Sequence, residues 1–398
     1  MKNKKTLYIS LTGMTESLGR SQVLEYLIDL SKKGNDFYLI SFEREKDLKN
    51  IEEIKKIIEE NNIKWEYFIY SNKYGIFSSL KQLFGGYING KKIIKRNNIN
   101  IIHTRSFVPA LIGYFLKNKK IKMIFDIRGF AIDEKVDSGR LNSNTILYKI
   151  LKKIDNFLYK NADHIVTLTH KARDILSENL NIDKEKITVI PTCANKEIFQ
   201  KIDNFEKEKI RKEFNFTNND ILLIHTGTVS GWYDFDKELK LIKYLMDKNE
   251  KIKFIILNKN EHDFINKKLQ EYKIDKSKVI LKSVPFEKVN QFLNISDFSI
   301  FFIKPSYSKQ ASAPTKFAEN VACHLPSITN KGVGDMEYYL TQYKVGKLVD
   351  LDDIDYNEIL KFIEKPDIVD EDFDKLFNEH FDKKMAVEKY DNIYKRLL

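Results

Sequence analysis

The sequence is poor in the residues that staple, span or punctuate. Cys193 and Cys323 are its only cysteines in 398 residues. Two thiols exclude a disulfide framework and a Cys-based zinc site, and they suit a reducing cytoplasm. No apolar run reaches the ~18–20 residues needed to cross a bilayer. Glycine (15) and proline (7) are few, yet the chain is not of low complexity. No repeat of short period is present. There is no G-x-G-x-x-G and no Walker loop, so dinucleotide and NTPase functions lose their main support. Asp234-x-Asp236 opens a helix and Asp352-Asp353 lies in a late loop. Neither sits at a strand end, so no metal and no cofactor are expected.

Acidic residues are missing from one long interval. Between Glu66 and Asp126 there is none, against eleven Lys and Arg. Residues 1–190 hold 34 basic and 22 acidic residues, and the remainder 34 and 35, so nearly all of the +11 net charge lies in the first half. Such a surface attracts anionic lipid, nucleic acid or phosphorylated substrate. No RNA or DNA motif accompanies it, and nucleic acid is not expected as a partner. Tyr74, Ile76, Phe77, Leu80, Leu83 and Phe84 recur at near-helical spacing beside Lys73 and Lys81. That pattern fits a membrane-surface or acceptor-binding helix, and equally one packed helix face. Lys91, Lys92, Lys95 and Arg96 are the residues expected to meet anionic vesicles.

What is present is material for two cores. Apolar residues make up 42% and aromatics 12%, and this length suits two domains of about 150–200 residues. Leu7-Tyr8-Ile9-Ser10-Leu11 is too short a run before Glu16 for a leader and reads as a buried first strand. Short apolar strands then alternate with amphipathic helices, which predicts parallel α/β sheets. Strands are expected at 7–11, 36–41, 99–103, 122–126, 164–169 and 187–191. A second cycle is expected at 221–225, 254–257, 279–282, 298–303 and 327–328. The reading is two doubly wound, Rossmann-like domains, 1–195 and 196–375, facing each other across a cleft, with a terminal helix in 376–398 packing back on the first. Ligands of such domains sit at strand C-termini.

The segment Ser312-Ala313-Pro314-Thr315-Lys316 with Glu319 has the parts of an anion site on a helix end. Ser312 is expected to cap the helix and Pro314 to fit its first turn. The free N–H groups attract phosphate, Lys316 adds a charge, and Glu319 lies one turn on, placed to accept from sugar hydroxyls. The same residues also make an ordinary helix cap.

This run, with Asn330-Lys331-Gly332-Val333-Gly334-Asp335, resembles the donor-binding segment of glycosyltransferase family four, retaining nucleotide-sugar-dependent enzymes of the GT-B fold. Ser17-Leu18-Gly19-Arg20-Ser21-Gln22-Val23, Asp126-Ile127-Arg128-Gly129-Phe130 with Asp133-Glu134, Ile190-Pro191-Thr192-Cys193 and Thr226-Gly227-Thr228 with Gly231-Trp232-Tyr233 resemble the family in the same order. The resemblance implies transfer of a sugar, with a UDP-sugar as the leading donor, to a glycan or lipid-linked acceptor in surface polysaccharide assembly. The enzyme would be cytoplasmic, or peripheral at the inner face of the membrane. Gly227, Thr228, Lys259, Val284, Ser312, Thr315, Lys316 and Glu319 would serve the donor. Gly19, Arg20, His103, Arg105, Asp126, Arg128, Asp133 and Glu134 would serve the acceptor. Arg128, Lys316 and Glu319 would stand at the reaction itself. Two positions depart from the family. Many members carry two Glu separated by seven residues, and Glu319 fits the second while Ala311 occupies the first. Arg128 stands where many have His. A nucleotide-sugar epimerase and a non-catalytic nucleotide-sugar adaptor remain the rival readings.

Overall fold

The computed structural model describes residues 4–70 and 76–398, apart from the side chains of 70 and 76–82. The expected stripe of Tyr74, Ile76, Phe77 and Leu80 with Lys73 and Lys81 lies outside these residues. The chain divides into two compact units, Met1–Pro191 with Lys383–Leu398, and Thr192–Asp382.

The first unit holds a seven-stranded parallel sheet. Its strands are β1 (Lys4–Ser10), β2 (Asn35–Arg44), β3 (Lys64–Tyr70), β4 (Ile101–Arg105), β5 (Lys122–Asp126), β6 (His164–Thr167) and β7 (Ile187–Val189), in the order β3-β2-β1-β4-β5-β6-β7. The order turns between β1 and β4, where Ser10 pairs with Arg105. In such sheets this switch point is where ligands find room. β3 was not anticipated. It is an edge strand in which Lys64 and Glu66 flank Trp65, and the short run that follows has exposed positions at Tyr67 and Ile69.

The second unit repeats the plan with β8 (Ile221–Thr226), β9 (Ile252–Leu257), β10 (Val279–Lys282), β11 (Phe298–Ile300), β12 (Ser327–Asn330) and β13 (Gly346–Val349), in the order β10-β9-β8-β11-β12-β13. β13, four residues opened by a glycine of which three are half-buried and Val349 is buried, was also not anticipated. Along β8, Leu222 and Ile224 enter one core and Leu223 the other. The strand is covered on both faces, which is why its sequence is an unbroken apolar run instead of an alternating one.

The helix Lys383–Leu397 belongs to the first unit. Its Asp391 bonds Lys4 at 2.6 Å and Asn35 at 3.3 Å, and so ties the helix to the starts of β1 and β2.

Candidate active site

In the second unit, polar groups gather at the C-terminal end of β8. Lys316 stands in the first turn of the helix Thr315–Ala322 and is buried. Its ammonium lies 4.0 Å from the centre of the Tyr233 ring and 5.3 Å from that of Phe301. Its Nζ is 3.4 Å from His225 Nε2. Among the described residues, no ion pair engages it. Burial pushes Lys316 down to about 7, against the opposing pull of Glu238 and Glu319. Glu319 lies one turn further along the helix, and burial pushes its carboxyl up to about 7, with Lys316 resisting. The site thus holds a desolvated cation walled by aromatic faces, which strengthens its attraction for an anion.

The surroundings hold this cation in place. His225, fully buried on β8, has Nδ1 at 2.9 Å from Glu238 Oε1, while its Nε2 faces the Thr228 carbonyl at 3.0 Å. Gly227 follows with φ +89°, and a Cβ there would come within 3.9 Å of Lys316 Nζ. A side chain at 227 would suffer backbone strain, while its Cβ would meet the ammonium only at ordinary contact distance. The loop 227–230 is pinned by Glu261, which accepts from Val229 N at 2.9 Å, from the Ser230 hydroxyl and from Asn258 at 2.8 Å. Burial raises the Glu261 carboxyl, but these hydrogen bonds win and hold it below its ordinary value.

A second loop closes on the same helix. Asn330, buried, takes Ile303 N at 2.8 Å and donates to Ile303 O at 2.9 Å. Gly334 N reaches Lys309 O at 2.9 Å, and Lys309 Nζ stands 3.6 Å over the Trp232 ring. Ala311 is fully buried in the turn Ser308–Ala311. The position that departs from the two-glutamate pattern is therefore closed to solvent, and a carboxylate there would be desolvated.

The cap differs from expectation. Ser312 ends the preceding turn, with its N–H on Lys309 O at 3.1 Å, and Pro314 occupies the cap position. Pro314 offers no side-chain acceptor, so no side chain caps the first turn of Lys316's helix. Thr315 is half-buried there, and Gly227 and Thr228 are exposed. Lys259 is exposed just beyond β9, and Val284, beyond β10, packs half-buried against the core.

In the first unit a different cluster forms around Asp126, fully buried at the end of β5. Tyr390 donates to its Oδ2 at 3.0 Å, and Arg105 Nη1 stands 3.4 Å from the same oxygen. Arg128, with φ +53°, brings Nη1 to 3.9 Å from Oδ1. Burial opposes the charge of Arg128 most strongly, but Asp126 together with Tyr390, Tyr26 and Tyr8 outweighs it and raises the group further. His103 Nδ1 meets the Tyr394 hydroxyl at 2.6 Å, and burial pushes this imidazole down to about 4, so it is neutral at pH 7. Tyr8 on β1 is driven up to about 12 by burial, with Arg105 opposing.

Three acceptor-side expectations change. Gly19 was expected to let backbone approach a ligand, but a Cβ there would sit 1.8 Å from Gly13 O. Its missing side chain admits the protein's own loop, which Glu43 holds through Met14 N at 2.8 Å and Thr15 N at 3.0 Å. Arg20 lies outside the Asp126 cluster and pairs at 3.0 Å with Glu53 on the helix Ile51–Glu60. Asp133 was expected to hold an acceptor hydroxyl, but it is buried and accepts from Lys152 at 2.5 Å and Tyr148 at 3.3 Å. Glu134, next to it, is half-buried.

Sequence reasoning missed Tyr233, His225, Glu238 and Glu261 on one side, and Tyr390 and Tyr394 on the other. His225 left one trace, an imidazole at the end of an apolar strand. Among the described residues no three His, Cys, Asp or Glu side chains gather as a metal site would require.

Comparison with known proteins adds chemistry to this geometry. Residues 21–197 match the family described as Glycosyltransferase Family 4, and residues 206–375 match Glycosyl transferases group 1. An uncharacterised glycosyltransferase of Methanocaldococcus jannaschii, MJ1069, is 26% identical over 310 residues, 76% of either chain. A glycosyltransferase from Rickettsia africae superposes with a TM-score of 0.71 at 15% identity, covering 100% of this chain and 99% of its own. Anabaena Alr3699/HepE, crystallised with UDP-glucose, superposes with a TM-score of 0.68 at 13% identity over 98% and 99% of the two chains.

Proposed function

The chain is a GT-B glycosyltransferase, and from that premise we propose that it moves a sugar from a nucleotide donor held in the second unit to an acceptor held in the first. One observation carries this reading: a buried lysine with no ion pair among the described residues stands at the start of a helix that no side chain caps, beside a glycine of positive φ. A diphosphate supplies the missing anion. Lys316 and the first-turn N–H groups of its helix neutralise the charge that builds on the leaving diphosphate, which lowers the barrier without a proton transfer. Glu319 accepts from the ribose hydroxyls. Tyr233 forms a wall and His225 fixes the ammonium from behind.

The donor is a UDP-sugar. The UDP-glucose complex of Anabaena HepE supports this choice through its shared fold. With no carboxylate at position 311, contacts to the sugar itself come from elsewhere in the site. On the acceptor side, Arg128 stabilises oxygens near the reacting carbon, and the Asp126 network holds it in its strained conformation. Transfer proceeds with retention, the leaving phosphate assisting same-face attack, onto a glycan or lipid-linked acceptor of surface polysaccharide. The protein works in the cytoplasm at the inner face of the membrane, without a resident metal.

A thermal-shift screen of UDP-, GDP-, ADP- and CMP-sugars tests the donor site. A UDP-sugar is expected to raise the melting temperature increasingly with concentration, and Lys316→Ala and Glu319→Ala to abolish the shift. Shifts that survive both substitutions would reject the assignment. Stabilisation by donor with no transfer to any acceptor would favour a nucleotide-sugar adaptor. Inverted configuration in the NMR spectrum of the product would remove the retention step.

A further inference from the structure

The helix Ile146–Asn161 faces the wrong way for a helix bathed in water. Its inner side is conventional, with Leu158, Tyr159 and Asp155 buried. Its outer side carries exposed apolar residues, with Lys153 among them: Ile146 is 76% exposed, Ile150 52% and Phe157 44%. Positions 146, 150 and 157 share one stripe of the helix, about 17 Å long at 1.5 Å per residue. The helix Phe107–Leu116 extends the surface. Its Tyr114 ring lies 4.9 Å from that of Phe157, Lys117 bonds Asn161 O at 2.8 Å, and Phe115 is 64% exposed. Surface helices ordinarily turn polar residues outward, and contiguous exposed apolar groups mark a binding face.

The charges around this stripe are mostly of one sign, the exception being Asp163, which pairs with Lys117 at 2.7 Å and Lys122 at 3.3 Å beyond the end of the helix. Lys149, Lys153 and Lys160 are exposed on the same helix, and Lys119 and Lys120 follow the neighbouring one. No acidic residue occurs in 107–122 or in 138–154, and Asp155 is buried. An apolar strip edged by lysines complements a layer whose surface is anionic and whose interior is hydrocarbon. A second copy of the chain fits poorly, because a two-fold contact would set two cationic patches together.

We propose that the outer face of the helix Ile146–Asn161, with Phe115, seats on an anionic lipid bilayer, the isoleucines and phenylalanines entering the acyl boundary and the lysines meeting the headgroups. This face is distinct from the Lys91–Arg96 cluster singled out by charge alone. The opposite side of the helix holds Asp133 through Tyr148 and Lys152, which fixes it to the short helix Ala131–Asp137. The docking face does not rest on the proposed function.

Flotation of the full chain with phosphatidylcholine vesicles, with and without phosphatidylglycerol, tests the proposal. Binding is expected only with phosphatidylglycerol. Ile146→Ser/Ile150→Ser/Phe157→Ser and Lys149→Glu/Lys153→Glu are each expected to weaken it at least about tenfold. Both variants are expected to keep the wild-type circular dichroism spectrum, which checks that they fold. The proposal is overturned if the wild-type chain does not float, if both variants float equally well, or if the serine variant changes only the oligomeric state. Flotation that follows these substitutions while no UDP-sugar shifts the melting temperature would reject the donor assignment and leave the docking face standing.

Discussion

The two polar clusters occupy comparable places in comparable sheets, yet they handle charge in opposite ways. Around Asp126 the carboxylate is buried at the end of β5 and surrounded by two guanidinium groups and a tyrosine hydroxyl. Around Lys316 the cation is buried beside aromatic rings and a histidine, with its nearest carboxylates beyond ion-pair distance among the described residues. The first arrangement pairs its charge from within the fold, although Asp126 Oδ1 and His103 Nε2 have no hydrogen-bond partner among the described residues. The second leaves its charge without an ion pair among the described residues, which is the property the proposed anion site would use.

The largest effect that sharpens this contrast is expected at the internally paired cluster around Asp126. Asp126→Ala leaves Arg105 and Arg128 buried together and should cost about 3–5 kcal/mol, read as a lowered urea midpoint. Lys316→Met removes an uncompensated buried charge and should leave that midpoint unchanged or raise it. Equal losses in the two variants would dissolve the distinction. A smaller effect is expected for Tyr390→Phe, about 1.5–3 kcal/mol for a hydrogen bond to a charged group. If Tyr390 positions Asp126 for the reaction, turnover falls while the donor-induced thermal shift is unchanged. A loss of donor shift in this variant would show that the clusters are not separable.

The subtlest effect concerns protons. Lys316 at about 7 is largely neutral above neutrality, and Glu319 at about 7 is largely protonated below it. A diphosphate that restores the ammonium must bring a proton at pH 8. A ribose that bonds the ionised carboxylate must expel one at pH 6. Calorimetric titration of UDP in buffers of different ionisation enthalpy should therefore show uptake at pH 8 and release at pH 6. Exchange of one sign at both pH values would mean that only one of the two groups meets the ligand.

Much of this was legible in the sequence where the signal was local. Lys316 and Glu319 were readable because three residues of helix bring them to one face. The β8 strand was readable because its apolar run is continuous. β3 and β13 escaped because an exposed edge and a four-residue strand carry too little periodicity. Tyr390 was invisible as a partner of Asp126, since 264 residues separate them and only the finished fold supplies the contact. Gly19 was recognised as a close-approach residue, but the sequence does not say whether ligand or Gly13 would make the approach. Ser312 looked like a cap because Ser is a favoured cap residue, yet the turn before it already uses its N–H, and the helix begins after Pro314.

The return of the helix Lys383–Leu397 to the first unit has a consequence for how the protein is made. Asp126 leaves the ribosome long before Tyr390, by on the order of 10–50 s at ordinary elongation rates. During that interval a buried carboxylate and two arginines have no hydroxyl to complete them, and the whole second unit emerges and can fold. The unit synthesised first is thus the unit finished last. A ribosome that stalls or stops early in this helix releases a chain whose second unit can be folded while Asp126 in the first unit still lacks its Tyr390 partner.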